Sequence, residues 1–106
     1  MTLTEFEAML LSEQFGEITS VERGAGYALG EHQHPFDACA LITSGDITLV
    51  VGGVATNYPA GAIFQLAAGV VHEEYAGAQG VSYRVGRRMA VPKTNRTAAR
   101  RAEVNQ

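Results

Sequence analysis

The feature that most constrains this chain is the brevity of its β-type runs and the regularity of the breaks between them. Twelve glycines fall in 106 residues, and several stand where an apolar run ends. Eight runs are legible: 17–23, 26–34, 37–43, 47–51, 54–58, 62–66, 70–75 and 81–85. Pro35 ends the second and Pro59 the fifth, while Ser44-Gly45-Asp46 and Gly52-Gly53 read as turns. No helical segment separates the runs, so a doubly wound α/β fold is excluded and the pattern predicts an all-β sandwich or closed barrel. The one helical stretch precedes them. Thr4 and Glu7 have capping-box spacing and open a predicted helix over 4–14, with Phe6, Met9, Leu10 and Phe15 on its apolar face and Gly16 as its stop. Three segments follow: a helix over 1–15, a barrel over 16–91, and a polar tail over 92–106.

One domain of this length buries only a modest core, which makes a homodimer the expected assembly. The net charge of −3 argues against nucleic acid as a partner, and a small molecule is expected instead. The basic residues are nonetheless uneven. Arg23 stands alone early, whereas Arg84, Arg87, Arg88, Lys93, Arg96, Arg100 and Arg101 lie in the last quarter and read as a solvated basic tail. A single cysteine, Cys39, excludes an internal disulfide and suits a reducing compartment. The first residues carry neither a basic cluster nor a long apolar run. A cytoplasmic protein with no membrane association is expected.

The chain has only three histidines, His32, His34 and His72. In an extended strand residues two apart share a face, so His32 and His34 point the same way, with Gly26, Ala28 and Gly30 leaving room beside them. Taken alone, His-x-His is equally well read as two exposed polar residues at a strand end. The wider spacing changes the balance. Gly26, five residues, His32, one residue, His34 and then Gly45 resembles the first motif of the cupin superfamily, G-x5-H-x-H-x3,4-E-x6-G. Gly61, five residues, Ala67, Ala68, Gly69, two residues, His72, three residues and Ala76 follows the second, G-x5-P-x-G-x2-H-x3-N. The resemblance spans roughly 16–88 and implies a jelly-roll β-barrel, often dimeric, with one divalent metal held by His32, His34 and His72.

The departures from that pattern bear on chemistry. Counting back from Gly45, Ala38 occupies the glutamate position of the first motif; Ala67 replaces the proline and Ala76 the asparagine of the second. Without that carboxylate, a metal held by neutral imidazoles keeps its full charge and leaves positions open to a chelating, anionic substrate. Three-histidine sites resemble those of the thiol dioxygenases and the β-diketone-cleaving dioxygenases. The most specific reading is therefore a three-histidine non-haem iron dioxygenase. Iron is the favoured metal, with zinc, nickel, manganese and copper as alternatives. Isomerase or lyase chemistry and a binding or sensor cupin without turnover are the competing readings.

Other candidates carry weaker signals. Glu74, two residues after His72, shares its face and is the candidate catalytic acid–base; it has equal standing as a missing ligand, as a support for a histidine, or as an ion-pair partner of Arg84 or Arg87. Cys39 falls at the glutamate position if the spacing is counted forward from His34, but strand alternation favours Ala38 there and a packing role for the thiol. Asp37 is expected to stabilise a turn. Gln65, Tyr75 and Tyr83 could each line a pocket, although amide and aromatic residues in strands more often pack or face water, and Phe36, Ile42, Leu49, Ile63 and Phe64 are expected in the core or pocket wall.

Overall fold

The computed structural model describes residues 1–89. The order is α1 (Leu3–Ser12), β1 (Glu17–Arg23), β2 (Ala28–His32), β3 (Phe36–Val51), β4 (Val54–Pro59), β5 (Ile63–Leu66) and β6 (His72–Met89). The tail over 92–106 lies outside the described residues. Among those residues no helix is long and apolar enough to cross a membrane.

Two of the expected turns do not reverse the chain. The third and fourth runs form one sixteen-residue strand, and the seventh and eighth form one of eighteen. β3 and β6 pair antiparallel along most of their length and make the spine of the molecule. Their outer halves recruit different partners. Cα register joins β1 to 81–87 of β6 and β5 to 38–41 of β3, whereas β2 pairs with 72–75 of β6 and β4 with 46–51 of β3. The ladder therefore consists of two half-sheets, β1-β6-β3-β5 and β2-β6-β3-β4, which share one bent spine.

The bend is built where the register slips. One slip lies between Ile42 and Ser44, and another between Gly45 and Ile47, where β6 spends Gly77–Gly80 as extra residues. Extra residues on one strand of a pair raise local twist and reverse the side-chain alternation. That reversal is visible in the core. Ala38, Ala40 and Ile42 before the bend pack with Ile47 and Leu49 beyond it, and with Phe64, Val81 and Val85. Gly45 sits at the crease with φ +70°, and a Cβ there would lie 2.0 Å from the carbonyl oxygen of Gly80. A glycine that reads as a turn in sequence thus permits two backbones to touch at a fold in the sheet.

The outer face of the β1-β6-β3-β5 half is closed by α1. Phe6, Leu10 and Phe15 pack on Cys39 and Leu41, with Met9 and Ile18 at the margin. Gly86 is the seat, since a Cβ there would come within 2.9 Å of Leu10 and Phe15. The helix starts earlier than expected: the working capping box is Thr2 with Glu5, not Thr4 with Glu7. Thr2 Oγ1 accepts from the Glu5 amide at 3.1 Å, and Glu5 Oε1 accepts from the Thr2 amide at 2.8 Å. Glu7 is taken instead by Arg84, whose Nε donates to it at 2.7 Å. The end is also earlier. The amide of Gln14 donates to Leu11 O and that of Phe15 to Leu10 O, a Schellman closure with Gln14, not Gly16, in the left-handed region at φ +69°.

Candidate metal centre

The three histidines meet. His32 ends β2 and faces His72, the first residue of β6, as its direct register partner. Their ring centroids lie 4.2 Å apart. His34 follows β2 in the connection to β3, with centroids 5.0 Å from His32 and 5.3 Å from His72. Glu74 joins them, and the donor atoms of all four residues lie within 4.8 Å of one another.

The expected face of β2 is corrected by a bulge. Leu29 pairs with Glu74, but His32, not Glu31, pairs with His72, so one residue is extra and the alternation flips. Tyr27 and Leu29 consequently share the cavity with the histidines, while Ala28 and Gly30 are exposed. The small residues of the sequence reading do not make the room. The bulge does give Gly30 a second task, because its carbonyl oxygen lies 2.7 Å from His32 Nδ1. In the loop just before β6 the carbonyl of Val70 lies 2.9 Å from His72 Nδ1.

These two contacts set the chemistry of the rings. A carbonyl oxygen only accepts, so both Nδ1 atoms carry the proton, and in the neutral ring both Nε2 atoms present a lone pair. Both face the same carboxylate oxygen: Glu74 Oε2 is 3.1 Å from His32 Nε2 and 3.4 Å from His72 Nε2. The other oxygen, Oε1, accepts from the Tyr27 hydroxyl at 3.3 Å. His72 Nε2 is fully buried with no hydrogen-bond partner. With both rings neutral these three lone pairs repel, and a cation between them resolves the conflict. The 3.1 and 3.4 Å from Glu74 Oε2 to the two imidazoles suit one, since two ligands about 2.1 Å from a common ion lie roughly 3.0–3.4 Å apart at tetrahedral or octahedral angles. The residues present therefore fit a divalent metal, with Gly30 and Val70 orienting two of its imidazoles and Tyr27 its carboxylate.

His34 is held from behind. Its ring stacks on Phe36 at 4.8 Å and 13°. Burial, aided by the neighbouring His32 and His72 rings, pushes its pKa below the ordinary imidazole value. Its carbonyl accepts from the Gly69 amide at 2.8 Å, and Asp37 accepts from the Ala68 amide at 2.8 Å. The Ala67-Ala68-Gly69 loop that leads into His72 is thereby pinned to the segment carrying His34. Asp37, expected to stabilise a turn of its own, stands inside β3 instead and holds a loop 31 residues further along. Arg88 adds a second partner, donating to Asp37 Oδ2 at 3.0 Å.

The remaining candidates divide by face. Ala38 lines the cavity, whereas Cys39 points to the helix side, where Gln65 Nε2 approaches its Sγ at 3.6 Å and burial raises the thiol pKa. Gln65 is thus outside the histidine cavity and lines a smaller pocket with Phe15, Asp37 and Arg88. Tyr75 is exposed and hydrogen-bonded to Glu73, and Ile63 is exposed too, so neither wall assignment holds. Phe36, Phe64 and Tyr83 do line the cavity, and Ile42 and Leu49 are core. Burial, aided by the charge of Glu74, pushes the Tyr83 phenol up to about 12. Glu74 forms no ion pair with Arg84 or Arg87; Arg84 is held by Glu7 on the outside.

The cavity encloses about 620 Å³, mouth included. Sequence reasoning missed part of its wall: Val21, Arg23, Tyr27, Leu29, Leu66, Val85 and Arg87. The alternation of β1 and of the last half of β6 carries that signal, but only once the bulges are known. The basic tail also needs revision, because Arg84, Arg87 and Arg88 belong to β6 and do not form part of a solvated arm.

No protein-family model matches the sequence, and no curated protein matches it. Solved structures do. A conserved protein of unknown function from Streptococcus pyogenes superposes with a TM-score of 0.62 at 23% identity, over 71% of this chain and 65% of its own. A cupin-2 domain protein from Shewanella frigidimarina gives 0.58 at 15% identity, over 69% of each chain. The cupin domain of Schizosaccharomyces pombe Cnp3 gives 0.65 at 16% identity, over 74% of this chain and 59% of that one. The bent spine, the two half-sheets and the histidines at their mouth together give this chain the cupin fold.

Proposed function

We propose that the protein is a metal-dependent enzyme acting on a small chelating substrate, with His32, His34, His72 and Glu74 holding one divalent ion. The observation that carries this reading is the buried, partnerless Nε2 of His72, aimed with His32 Nε2 at Glu74 Oε2. Glu74 supplies the carboxylate that Ala38 lacks, from the opposite strand. When bound, the ion supplies Lewis-acid activation and, if it is iron, a redox centre. The chain supplies the rest. Gly30 and Val70 fix the ring tautomers, Tyr27 holds Oε1 so that Oε2 faces the site, and Phe36, Phe64 and Leu66 exclude water from one wall. Tyr83, pushed up to about 12, stays a neutral phenol and offers a hydrogen-bond donor to the cavity.

Non-haem iron dioxygenase chemistry is the most specific form of this reading. It is supported by the imidazole-rich donor set and by the aromatic and aliphatic residues in the cavity wall. Untagged protein purified without added metal is expected to carry one ion per chain by elemental analysis, and His72→Ala to carry none. Iron-loaded protein is then assayed for oxygen uptake with β-diketones and thiols. Uptake by none of them with iron in place removes the dioxygenase form; a metal-free wild type that takes up no ion removes the metal centre itself.

A further inference from the structure

Four arginines lie within the described residues, and they are not alike. On the outer face Arg84 pairs with Glu7, and Arg88 pairs with Asp37. On the inner face Arg23 and Arg87 line the cavity, and among the described residues neither forms an ion pair. Arg87 is placed by ring contact. Its guanidinium carbon lies 4.6 Å from the centroid of Phe36, and Phe36 in turn stacks on His34. The π-face of Phe36 occupies one face of the guanidinium. It leaves the in-plane N–H donors unused, and that fork matches a carboxylate. Arg23 also lies over a ring, but its Nη1 already donates to the Glu22 carbonyl at 2.8 Å, so it is the less free of the two. It lies 5.3 Å from the Tyr27 centroid, and Tyr27 donates to Glu74.

We propose that the cavity takes a small organic acid whose carboxylate seats on the in-plane edge of Arg87, with its hydroxyl or keto oxygen directed at the histidine cluster. The charge balance favours it. Arg23 and Arg87 contribute two positive charges to the wall, a bound divalent ion two more, and Glu74 is the only acidic residue lining it. A guanidinium stacked on an aromatic ring loses less side-chain freedom when its ligand arrives than one without such a contact. The inference rests on the metal-centre reading for the far end of the ligand, whereas the Arg87 contact stands independently.

The test uses calorimetric titration with glycolate, lactate, malate and citrate, each beside its amide. Wild type, Arg87→Gln and Arg84→Gln are compared, with and without added metal. The expected result is an acid bound at least tenfold more tightly than its amide, a preference lost in Arg87→Gln and kept in Arg84→Gln. Metal content is read in parallel and is expected to be unchanged in Arg87→Gln. No acid preferred over its amide, or the preference lost equally in Arg84→Gln, overturns the inference. So does loss of metal from Arg87→Gln, which would give Arg87 a structural role. If the wild type holds no metal, the centre fails; the comparison in the metal-free protein then decides the Arg87 seat by the same criteria.

Discussion

His72 shows how a single residue is committed to chemistry by its neighbours. Its Nδ1 is spent on Val70, its Nε2 is buried, and Glu74 Oε2, 3.4 Å from Nε2, carries lone pairs of its own. Tyr27 plays the matching part for Glu74. In Tyr27→Phe the ring and its packing remain but Oε1 loses its donor. Metal affinity, by competition with a fluorescent chelator, is expected to fall about tenfold, at the lower end of the range for residues that support a ligand; unchanged affinity would show that Glu74 needs no such support. Asp37 is a second case. Its carboxyl pKa is lowered by the Ala68 amide first and by Arg88 second. A depressed carboxylate stabilises the fold above its unfolded pKa of about 4, and that contribution is lost as pH falls through the lower folded value. Melting temperatures measured from pH 6 to pH 2 are expected to drop less steeply below about pH 4 in Asp37→Asn than in wild type.

Elements follow the sequence where local chemistry decides them and depart from it where contacts do. β1 has its expected bounds, because nothing interrupts its alternation. α1 begins at the earlier of two overlapping capping boxes, since Glu7 is drawn away by Arg84, a residue 77 positions later. Its end shows a local strain. Gln14 is held left-handed by the Schellman bonds, at a cost of about 1 kcal/mol for a residue with a Cβ. Gln14→Gly is expected to raise stability by roughly 0.5–1 kcal/mol in urea unfolding; a loss would show that the Gln14 side chain contributes more than its backbone costs. Gly45→Ala tests the crease in the spine. The added Cβ meets the Gly80 carbonyl, so a loss of about 3 kcal/mol or more is expected, a fall in melting temperature of over about 10 °C.

At the scale of the molecule, the site stands where the half-sheets meet, and it ties them together. His32 and His34 belong to β2 and the segment after it, His72 and Glu74 to β6, and the loop before His72 is pinned by Asp37 at the start of β3. An ion held by all four links separate stretches of chain and binds only the folded state. Metal at a hundredfold excess over its dissociation constant adds about 2.7 kcal/mol, which for a domain of this size raises the melting temperature by roughly 10–20 °C. Differential scanning with and without a chelator measures it; coincident curves would count against the centre.

The one-dimensional pattern was enough for the all-β class, the leading helix, the histidine triplet and its cupin spacing, because turn chemistry, alternation and motif distances are properties of neighbours along the chain. It also placed Glu74 beside His72, two residues apart on one strand. It did not show that β3 and β6 run unbroken through their bends, because a glycine that permits a turn also permits a crease, and only the facing backbone selects one. The extra residue in β2 was equally hidden. Bulges arise from strand pairing, and this one swapped Gly30 and Ala28 for Leu29 and Tyr27 in the cavity wall. The tertiary structure alone brought Arg87 over Phe36 and aimed Glu74 Oε2 at both imidazoles. Each of those outcomes depends on which face a side chain takes, and a single slip in register reverses it.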